Sequence, residues 1–553
     1  MKKFLKFVLI LFFIAAFFSS CEKMLAERPT TFMSPENSFD TPEQARTVLD
    51  GVYGSLQERG WGAGIYAHHL LEQIATDVTK CFATSTVEGL GDYTFTANNS
   101  KIRTYWQYSY ELINRANLFI DNIEKVDFDT SIKESYKAEA LFLRSLIYFN
   151  LVRLYGAVPM PLAPPKSLDP EDIFPERTSP AEIYAQIIED LEYCETHLPE
   201  KNGSYGNVDY KYGHATVGAV QGLLAQIYLY RGSIELRDAL GDGKEHFRQS
   251  AQYARKVIQS SKYELVPYYP DIFREKGNSE VIFDIHYKSG VGLHPAAEGS
   301  QMGLYLGVSG NVQAGGAYSF PLTTYHATHY YDDGDIVRKD WNVVHGKLAQ
   351  ASGRWFVEIS TANMQRGWGP GKWRQFPLRN TYTGTGDYGN NVPIMRLADM
   401  YLILAEALNE VNGSPDDEAI NAVNLLRTRA CNVNIAGSGN IHDDVVPRVL
   451  QAKPENLPLL NKTDFTYELF KDYLFYERAC ELSMEWTRYY DLQRWGKLVY
   501  AIELVGNTIN TKTNNKVEPE YWALNNIHTR HYLLPIPATE LGRNPNLTQN
   551  PGY

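Results

Sequence analysis

The sequence predicts a mainly α-helical fold in which a scaffold of paired helices carries a large, loop-rich, ligand-facing insertion. Three observations support this prediction. Helical periodicity recurs along the 553-residue chain, small residues repeat along neighbouring helical segments, and two long segments lack sustained periodicity. A content of 44% apolar and 21% charged residues is typical of a globular protein with a large core.

The net charge argues against one broad class of function. The chain has a formal charge of −12 and a pI near 5.6. A general nucleic-acid-binding protein instead needs a basic face that displaces counterions from phosphates. Neutral or basic partners fit this balance better, and we expect no nucleic-acid ligand.

The N-terminal segment is typical of an export signal. Three lysines within the first six residues precede an uncharged run over 7–18, which is too short to span a bilayer core of roughly 30 Å. The small residues Ser19 and Ser20 then lead into Cys21. We predict a signal peptide over 1–20 and acylation of Cys21, so that a lipid anchors the mature chain without a membrane-spanning segment. The alternative is ordinary cleavage beside a chance cysteine.

The remaining cysteines, Cys81, Cys194, Cys431 and Cys480, are widely spaced and form no C-x-x-C motif. In an exported protein they permit two disulfides. So few cysteines favour free buried thiols over a disulfide framework, and both alternatives remain open from the sequence.

Two helix starts carry complete capping signals. The sequences TPEQ at 41–44 and SPAE at 179–182 each combine an N-cap hydroxyl, a proline at the first helical position and a capping-box partner. Beyond them, helical periodicity recurs in eight segments: residues 105–125, 132–155, 180–198, 216–231, 246–260, 393–411, 417–430 and 464–500.

Small residues indicate where neighbouring helices approach each other. Ala219, Gly222 and Ala225 recur along one segment, and Ala251 and Ala254 along the next. A second set of small residues lies further along the chain: Ala398, Ala405, Ala407, Ala419 and Ala422. Close pairs of consecutive helices predict a tetratricopeptide-like stack, with unequal spacing that argues against regular 34-residue repeats.

Two regions interrupt the helical pattern. Residues 60–104 and about 265–390 are rich in Gly, Tyr, Asn and Pro, which predicts loops, short strands and short helices carried on the scaffold. Binding residues concentrate on loops held by a rigid support. After the signal peptide we divide the chain into an N-terminal helical region, 21–264, and a C-terminal region, 265–553, which together form one structural unit.

A charged stretch near the C-terminus requires a choice between a catalytic acid pair and a structural ion network. On a single helix over 464–500, five charged residues share a wedge of roughly 120°: Glu477, Glu481, Glu485, Arg488 and Asp491. Large apolar residues surround the helix, which predicts burial and therefore paired charges. Arg488 lies three residues from both Glu485 and Asp491, the spacing of helical neighbours. We interpret the stretch as a structural ion network. The less favoured alternative is a glycosidase that uses Glu481 and Glu485. The two catalytic carboxylates of a glycosidase normally face each other across a cleft from separate segments of the chain.

This stretch resembles the C-terminal signature of the SusD/RagB family, the surface lipoproteins of Bacteroidetes nutrient-uptake systems. Further blocks agree with the family pattern in chain order: SSC at 19–21, AEALFLR at 138–144, YFNLVRLYGAVP at 148–159, RLADMYLILAEA at 396–407, NLLRTRA at 424–430, PIPATE at 535–540 and NPNLTQNPGY at 544–553. The resemblance covers the chain from about residue 21 to its end.

The resemblance implies a SusD-like fold, with tetratricopeptide-like units on one side and a ligand face of loops on the other. It also implies a lipid-anchored receptor without catalytic activity that faces the outside of the outer membrane. Such a receptor captures oligosaccharides or polysaccharide and passes them to a SusC-like TonB-dependent transporter. The alternatives are a RagB-like receptor for peptides and a structural adaptor that has no ligand of its own.

Candidate ligand-binding residues follow from the aromatic content of the loops. Exposed aromatic rings suit the apolar faces of sugar rings, and four of the nine tryptophans lie in the long insertion. We predict ligand contacts by eight residues: Trp61, Tyr66, Asp77, Tyr318, Trp341, Trp355, Trp368 and Trp373. Asp77 resembles a position where many family members carry Asp beside the ligand face. The alternative for each tryptophan is packing beneath the loops, because large aromatics are mostly buried.

No motif indicates a metal or another cofactor. The sequence GTGDYG at 384–389 matches G-x-G-x-x-G but lacks the preceding strand and following helix of a dinucleotide site. The acidic run DDGD at 332–335 lacks the alternating ligands of a calcium loop. For that run we favour a turn that ends in Arg338.

Overall fold

The computed structural model describes most of the chain outside the N-terminus: residues 39–59, 63–64, 74–80, 89–201, 204–205, 208–209, 213–287, 300, 322–344, 347–351, 354–358, 368–373, 389–432, 457–511, 513–518 and 521–553. The helices in these ranges are α1 Pro42–Tyr53, α2 Ser100–Ile123, α3 Thr130–Tyr155, α4 Pro170–Ile173, α5 Pro180–His197, α6 Val217–Arg237, α7 Lys244–Gln259, α8 Asp271–Arg274, α9 Ile336–Asn342, α10 Leu397–Asn412, α11 Asp417–Ala430, α12 Tyr467–Glu481, α13 Arg488–Arg494, α14 Leu498–Asn507, α15 Ala523–Asn526 and α16 Ala538–Arg543. A π-helical turn covers His326–Tyr330, and 3-10 turns cover Gly54–Leu56, Lys462–Asp464 and Thr529–Tyr532.

The predicted helix starts are confirmed. At α1, the backbone N–H of Gln44 donates to Thr41 Oγ1 over 3.3 Å. The backbone N–H of Thr41 donates to the side-chain oxygen Oε1 of Gln44 over 3.0 Å. The same reciprocal pair joins Ser179 and Glu182 at α5. These side chains satisfy backbone donors that have no partner within the first turn of a helix, so the local sequence alone sets both boundaries.

The long helices pack in series, as the spacing of small residues predicts. In this series α2 contacts α3, α3 contacts α5, α5 contacts α6, α6 contacts α7, α7 contacts α10, and α10 contacts α11 and α12. A side chain at Gly232 would place its Cβ 3.0 Å from the Phe247 ring, so glycine permits the close approach of α6 and α7. One hydrophobic core extends from Ala45 to Ile536. The mainly helical, tetratricopeptide-like prediction is confirmed.

Strands within the described residues are short and form two-stranded ribbons. They are β1 Glu58–Arg59, β2 Ala63–Gly64, β3 Ser204–Tyr205, β4 Val208–Asp209, β5 Val281–Ile285, β6 Val343–Val344, β7 Lys347–Ala351, β8 Arg354–Glu358, β9 Gly369–Pro370, β10 Val392–Arg396, β11 Ile509–Asn510 and β12 Asn515–Lys516. β5 pairs with β10 in antiparallel register, with Ile285 opposite Val392 and Val281 opposite Arg396. The chain therefore leaves the scaffold and returns to it along one ribbon, which joins both ends of the long insertion.

The prediction of one helix over 464–500 is wrong. α12 ends at Glu481, and the next helix begins only at Arg488. In the intervening turn, Met484 and Trp486 adopt left-handed backbone angles, with φ of 59° and 62°. L-residues adopt this conformation only where the surroundings enforce it, and no glycine or proline marks the turn in the sequence. The 393–411 segment also begins as strand β10 before α10 starts at Leu397.

Cys194, Cys431 and Cys480 are buried free thiols, as predicted for them. Cys81 lies outside the described residues. Burial raises the pKa of Cys431 to about 11, which keeps this thiol protonated near neutral pH. In the part of the chain that the structure describes, no helix has both the length and the apolar character to cross a membrane.

Candidate ligand-binding face

Three segments that are distant in sequence meet through backbone hydrogen bonds. We call them the loop platform: residues 74–80, 322–331 and 368–373. Leu322 lies at the centre and forms antiparallel bridges with Thr79 on one side and Trp368 on the other. The Leu322 N–H donates to the Trp368 carbonyl, and the Thr323 N–H donates to the Val78 carbonyl, both over 2.9 Å. The platform thus brings together parts of both loop regions that the sequence identifies.

Asp77 attaches the platform to the helical scaffold. Its carboxylate is fully buried and accepts hydrogen bonds from the Arg488 guanidinium, including one from Nε over 2.9 Å, and from the Tyr330 hydroxyl. The same guanidinium donates to the Phe475 carbonyl over 2.8 Å and lies 4.1 Å from the centre of the Phe475 ring. Because every oxygen of Asp77 is used in these contacts, its role is structural.

A C-terminal segment binds the other side of the platform. Lys80 forms an ion pair with the buried carboxylate of Glu518, which also accepts from the Thr324 N–H over 2.6 Å. The Tyr521 hydroxyl donates to the Thr76 carbonyl over 2.6 Å. Glu518 and Tyr521 therefore hold two of the three platform segments in a fixed relation.

Two predicted tryptophans are buried, Trp373 within the platform and Trp341 in α9. Trp373 is 1% exposed; its indole N–H donates to the Met484 carbonyl over 3.0 Å, and its ring stacks on Trp486 at a centroid distance of 5.2 Å. Trp341, on α9, is also buried, with the Arg274 guanidinium 5.6 Å from its ring centre. These rings expose no face to a ligand. For Asp77, Trp341 and Trp373 the structure therefore favours a structural role over the predicted ligand contact, because all three side chains are buried.

The other predicted contacts have different outcomes. Trp368 lies in the platform, where it is half-buried and packs against the core, so it stays a candidate. Trp61, Tyr66 and Tyr318 lie outside the described residues, as does the predicted lipidation site Cys21. Trp355 lies in β8, where the structure describes the strand but not the side chain.

A buried ion network joins the platform to the helices. Its members are Glu280, Asp335, Arg338, Lys372, Arg396, Arg429, Glu477, Glu481 and Glu485. Glu481, at the centre, binds Arg338 over 3.0 Å, Arg396 over 2.6 Å and Arg429 over 2.5 Å. Burial alone would raise the pKa of Glu481, but these three guanidiniums outweigh it and hold the pKa well below its usual range. The interpretation as a structural ion network is confirmed.

The partners within this network differ from those that helical spacing predicts. Arg488 binds Asp77 rather than Glu485, which pairs with Lys372 and Arg396 over 2.6 Å and 2.7 Å. Along α13, Asp491 binds Arg494, three residues further on, over 2.9 Å. The reason is the turn after α12, which removes Glu485 from the helix and directs it toward the insertion. Burial lowers the pKa of Lys372 to about 8.

The acidic run before α9 forms a turn, as predicted, but Arg338 lies within α9 and not at the end of the turn. Asp335 binds Arg338 over 2.5 Å, and Arg338 also binds Glu477 over 2.6 Å. Burial raises the pKa of Asp335 to about 6, against the opposing effect of Arg338. Among the described residues, no group of three or more His, Cys, Asp or Glu side chains is arranged to hold a metal ion.

Sequence reasoning did not identify several residues that hold the platform, notably Tyr330 and Glu518. Neither residue belongs to a motif, and each acts on a partner more than 190 residues away in the chain. The charge of Arg488 was recognised, but its partner was not. Only the tertiary structure reveals these contacts, because no local spacing encodes them.

The burial of His326, which lies in the platform, leads us to expect that the free energy of unfolding falls in mild acid. Burial lowers the pKa of His326 to about 3, from an ordinary value of 6.5. The unfolded chain therefore takes up a proton below about pH 6.5, while the folded chain does so only near pH 3. Since the unfolded state binds more protons in this window, the free energy of unfolding falls as the pH falls. We expect His326 to account for a loss on the order of 1–2 kcal/mol between pH 7 and 5.

Urea denaturation at a series of pH values measures this effect. His326→Gln retains a polar atom near Nε2, which lies 3.2 Å from both the Tyr331 hydroxyl and Ser483 Oγ, and removes the titration. The variant should show a flatter pH dependence than the parent. His531, whose pKa burial lowers to about 4, should supply part of the slope that remains. Asp335, whose pKa burial raises to about 6, should oppose that slope, because its folded form takes up a proton in the same window. Equal slopes for His326→Gln and the parent would contradict the prediction.

Comparison with known proteins gives a consistent result over nearly the whole chain. A family model described as the SusD family matches residues 357–553, and one described as starch-binding associating with outer membrane matches 31–229. SusD-like protein P2 of Formosa agariphila is 26% identical, with 96% of each chain covered. The crystal structure of a SusD homologue from Bacteroides thetaiotaomicron superimposes with a TM-score of 0.77 at 23% identity, covering 95% of this chain and 99% of that one. A surface glycan-binding protein A from the same species, in complex with laminarihexaose, gives 0.67 at 19% identity, covering 92% and 99%.

Proposed function

The chain belongs to the SusD/RagB family, and from this premise we propose that it is a receptor that binds oligosaccharides or polysaccharide on its loop platform. The observation that carries the proposal is the convergence of parts of the two predicted loop regions, which Asp77, Arg488 and Glu518 hold together. A rigid support under converging loops is the usual arrangement of a binding site. The relative that is described in complex with laminarihexaose shares this fold, which favours a glycan over other ligands.

The proposal includes no hydrolytic activity. Glu481 is completely buried and Glu485 nearly so, and both are held in ion pairs with Arg396. A general acid and its partner must reach the glycosidic oxygen and the anomeric carbon from opposite sides of a cleft. Carboxylates enclosed among guanidiniums in the core do not meet this requirement.

The charge of the protein favours neutral glycans within this class. The chain carries a formal net charge of −12, which repels polyanionic chains such as polyuronates at low salt. On the platform, Lys80 is neutralised by Glu518. We therefore expect laminarin-like neutral polysaccharides to bind more tightly than alginate or polygalacturonate.

We also propose that the protein is anchored through an acylated Cys21 on the outer membrane, faces outward, and delivers its ligand to a SusC-like TonB-dependent transporter. The description of the matching family model, which names the outer membrane, supports the location. Radiolabelled palmitate should enter the parent but not a Cys21→Ala variant. Protease added to intact cells should degrade the anchored protein.

Affinity electrophoresis and calorimetry with the purified mature chain test the function itself. Laminarin and other neutral polysaccharides should retard the protein and give measurable heat, whereas alginate and polygalacturonate should do neither at the same concentration. An unrelated acidic protein of similar size is the control for nonspecific retardation. The proposal is wrong if no polysaccharide retards the folded protein or gives heat.

A further inference from the structure

A surface cavity of about 460 Å³ lies where four parts of the chain meet. Its lining comes from the end of α6, from Gly496 after α13, from the 529–533 segment and from residues 550–551. The volume falls within the range of about 300–1,000 Å³ that is usual for small-molecule sites. No residue of the loop platform lines the cavity, and neither does any predicted ligand contact, so it is a separate candidate site.

One guanidinium in the lining already has a carboxylate partner. Arg237 donates from Nε and Nη2 to the two carboxylate oxygens of Asp238, over 2.7 Å and 2.9 Å. Its Nη1 donates to the Gln493 carbonyl over 3.0 Å. Gly496 leaves room for this side chain, since a Cβ there would lie 3.2 Å from Arg237 Cγ. These contacts fix one wall of the cavity and neutralise the charge of Arg237.

The second guanidinium has no carboxylate partner. In Arg530, Nη1 donates to the Gly552 carbonyl over 2.9 Å, and Nε lies 3.2 Å from His531 Nε2. The His528 backbone N–H also donates to this imidazole, at Nδ1, over 3.0 Å. Burial lowers the pKa of His531 to about 4, and a neutral imidazole accepts at one nitrogen only. His531 therefore cannot accept both hydrogen bonds, and within the described part of the chain Arg530 forms no ion pair.

The charges of the lining favour a ligand with one negative group. The two arginines and Asp238 leave one positive charge in excess, in a chain whose formal net charge is −12. A guanidinium binds a carboxylate through two parallel N–H···O bonds, which are stronger than hydrogen bonds between neutral groups. A phosphate monoester carries nearly two negative charges and fits less well, because Asp238 repels additional negative charge.

The rest of the lining fits the body of a sugar ring. Tyr532 and Leu533 are half-buried and Pro551 is exposed, so they offer apolar surface to the C–H face of a pyranose. Thr529 supplies a hydroxyl that both donates and accepts hydrogen bonds. The Asp238 side chain is 40% exposed, and its oxygens have further lone pairs for sugar hydroxyls.

We propose that this cavity is a second ligand site, in which the Arg530 guanidinium binds the carboxylate of a single acidic sugar unit, such as a uronic acid, carried by an otherwise neutral glycan. The inference goes beyond the loop platform, and the choice of a sugar as the ligand rests on the proposed glycan-binding function. The expectation for alginate and polygalacturonate is unchanged. The cavity neutralises one charge of such a chain, and the protein still repels the many others.

An NMR titration with two matched probes tests the proposal on the full mature chain. Methyl β-glucuronide and methyl β-glucoside differ only at the exocyclic carbon, which is a carboxylate in the first and a hydroxymethyl group in the second. The glucuronide should bind about tenfold more tightly than the glucoside, and its affinity should fall as the salt concentration rises. Arg530→Met should weaken glucuronide binding about tenfold and leave glucoside binding unchanged.

Arg543→Met is the matched control. It removes the same charge from the same C-terminal region, but Arg543 lies outside the cavity lining, is 69% exposed and pairs with Glu540 over 3.5 Å. This variant should bind the glucuronide within about twofold of the parent. Equal affinity of the parent for the two probes, or an equal loss in both variants, would overturn the proposal. If thermal unfolding shows that Arg530→Met is misfolded, the parent decides, since a preference for the glucuronide that salt does not weaken would contradict ion pairing.

Laminarin binding separates this inference from the proposed function. If the parent binds laminarin without preferring the glucuronide to the glucoside, the assignment of the cavity fails while the function stands. If the parent binds the glucuronide through Arg530 but binds no polysaccharide, the proposed function of the platform fails while the cavity remains a site for an acidic sugar.

Discussion

Arg396→Met is expected to lower the free energy of unfolding by about 3–5 kcal/mol. Arg396 is 1% exposed and binds three buried carboxylates, Glu280, Glu481 and Glu485, over 2.6–2.8 Å. Burial alone would lower the pKa of Arg396, but these carboxylates raise it well above its ordinary value, so the guanidinium is charged at every relevant pH. Methionine fills a similar volume without the charge, and the carboxylates are left in the core with fewer cations.

Chemical denaturation measures this effect against a matched surface control. Arg248 forms an ion pair with Glu245 over 2.9 Å, but both side chains are more than half exposed. Arg248→Met should therefore change stability by less than about 1 kcal/mol. Similar denaturation midpoints for the two variants would contradict this prediction. They would show that the charge of Arg396 adds no net stability to the buried network.

Asp77→Asn is expected to lower the free energy of unfolding by about 3 kcal/mol and to weaken glycan binding as well. The substitution leaves the buried guanidinium of Arg488 without its carboxylate partner. Burial would lower the pKa of Arg488, but Asp77 raises it above its usual range, so the arginine stays charged. Because the same carboxylate also accepts from the Tyr330 hydroxyl, its loss should release two platform segments from the scaffold.

Asp472→Asn is the control for this experiment. Asp472 pairs with Lys497 over 2.9 Å, with 62% of its side chain exposed, and its loss should cost less than about 1 kcal/mol. A double-mutant cycle with Arg488→Met isolates the contribution of the Asp77–Arg488 pair. A coupling energy near zero, or an Asp77→Asn variant as stable as Asp472→Asn, would show that the pair does not hold the platform in place.

Both predictions concern the same structural arrangement. The ion network and the Asp77–Arg488 pair join the ends of the loops to α12, α13 and the turn between them. Removing one partner of a buried pair is costly because the other charge remains in a medium that solvates it poorly. The charged residues that first suggested a catalytic pair instead support the face on which we propose that ligand binds.

Features with local causes were predictable from the sequence. The capping boxes at Thr41 and Ser179 set helix starts within four residues of sequence. The bounds of α11 coincide with the predicted 417–430 segment, because its periodicity, N-cap and final turn are all encoded nearby. Burial of the charged helix followed from the apolar residues around its circumference.

Features with distant causes were not predictable. The turn at Met484 and Trp486 carries no glycine or proline, and contacts from Trp373, more than 100 residues earlier, accompany its left-handed backbone. Asp77 and Trp373 had the residue types of a carbohydrate site, yet the scaffold occupies them completely. A residue type shows what chemistry is available, and only its neighbours in space show whether that chemistry faces solvent.

By itself the sequence determined the mainly helical stack, the helix starts, the positions of the loop regions and the family blocks, because periodicity, capping and small-residue spacing act over a few residues. The tertiary structure decided which charges pair and which aromatic rings are buried. The physical reason is that burial and ion pairing depend on contacts between residues such as Asp77 and Arg488, which are 411 positions apart in the chain.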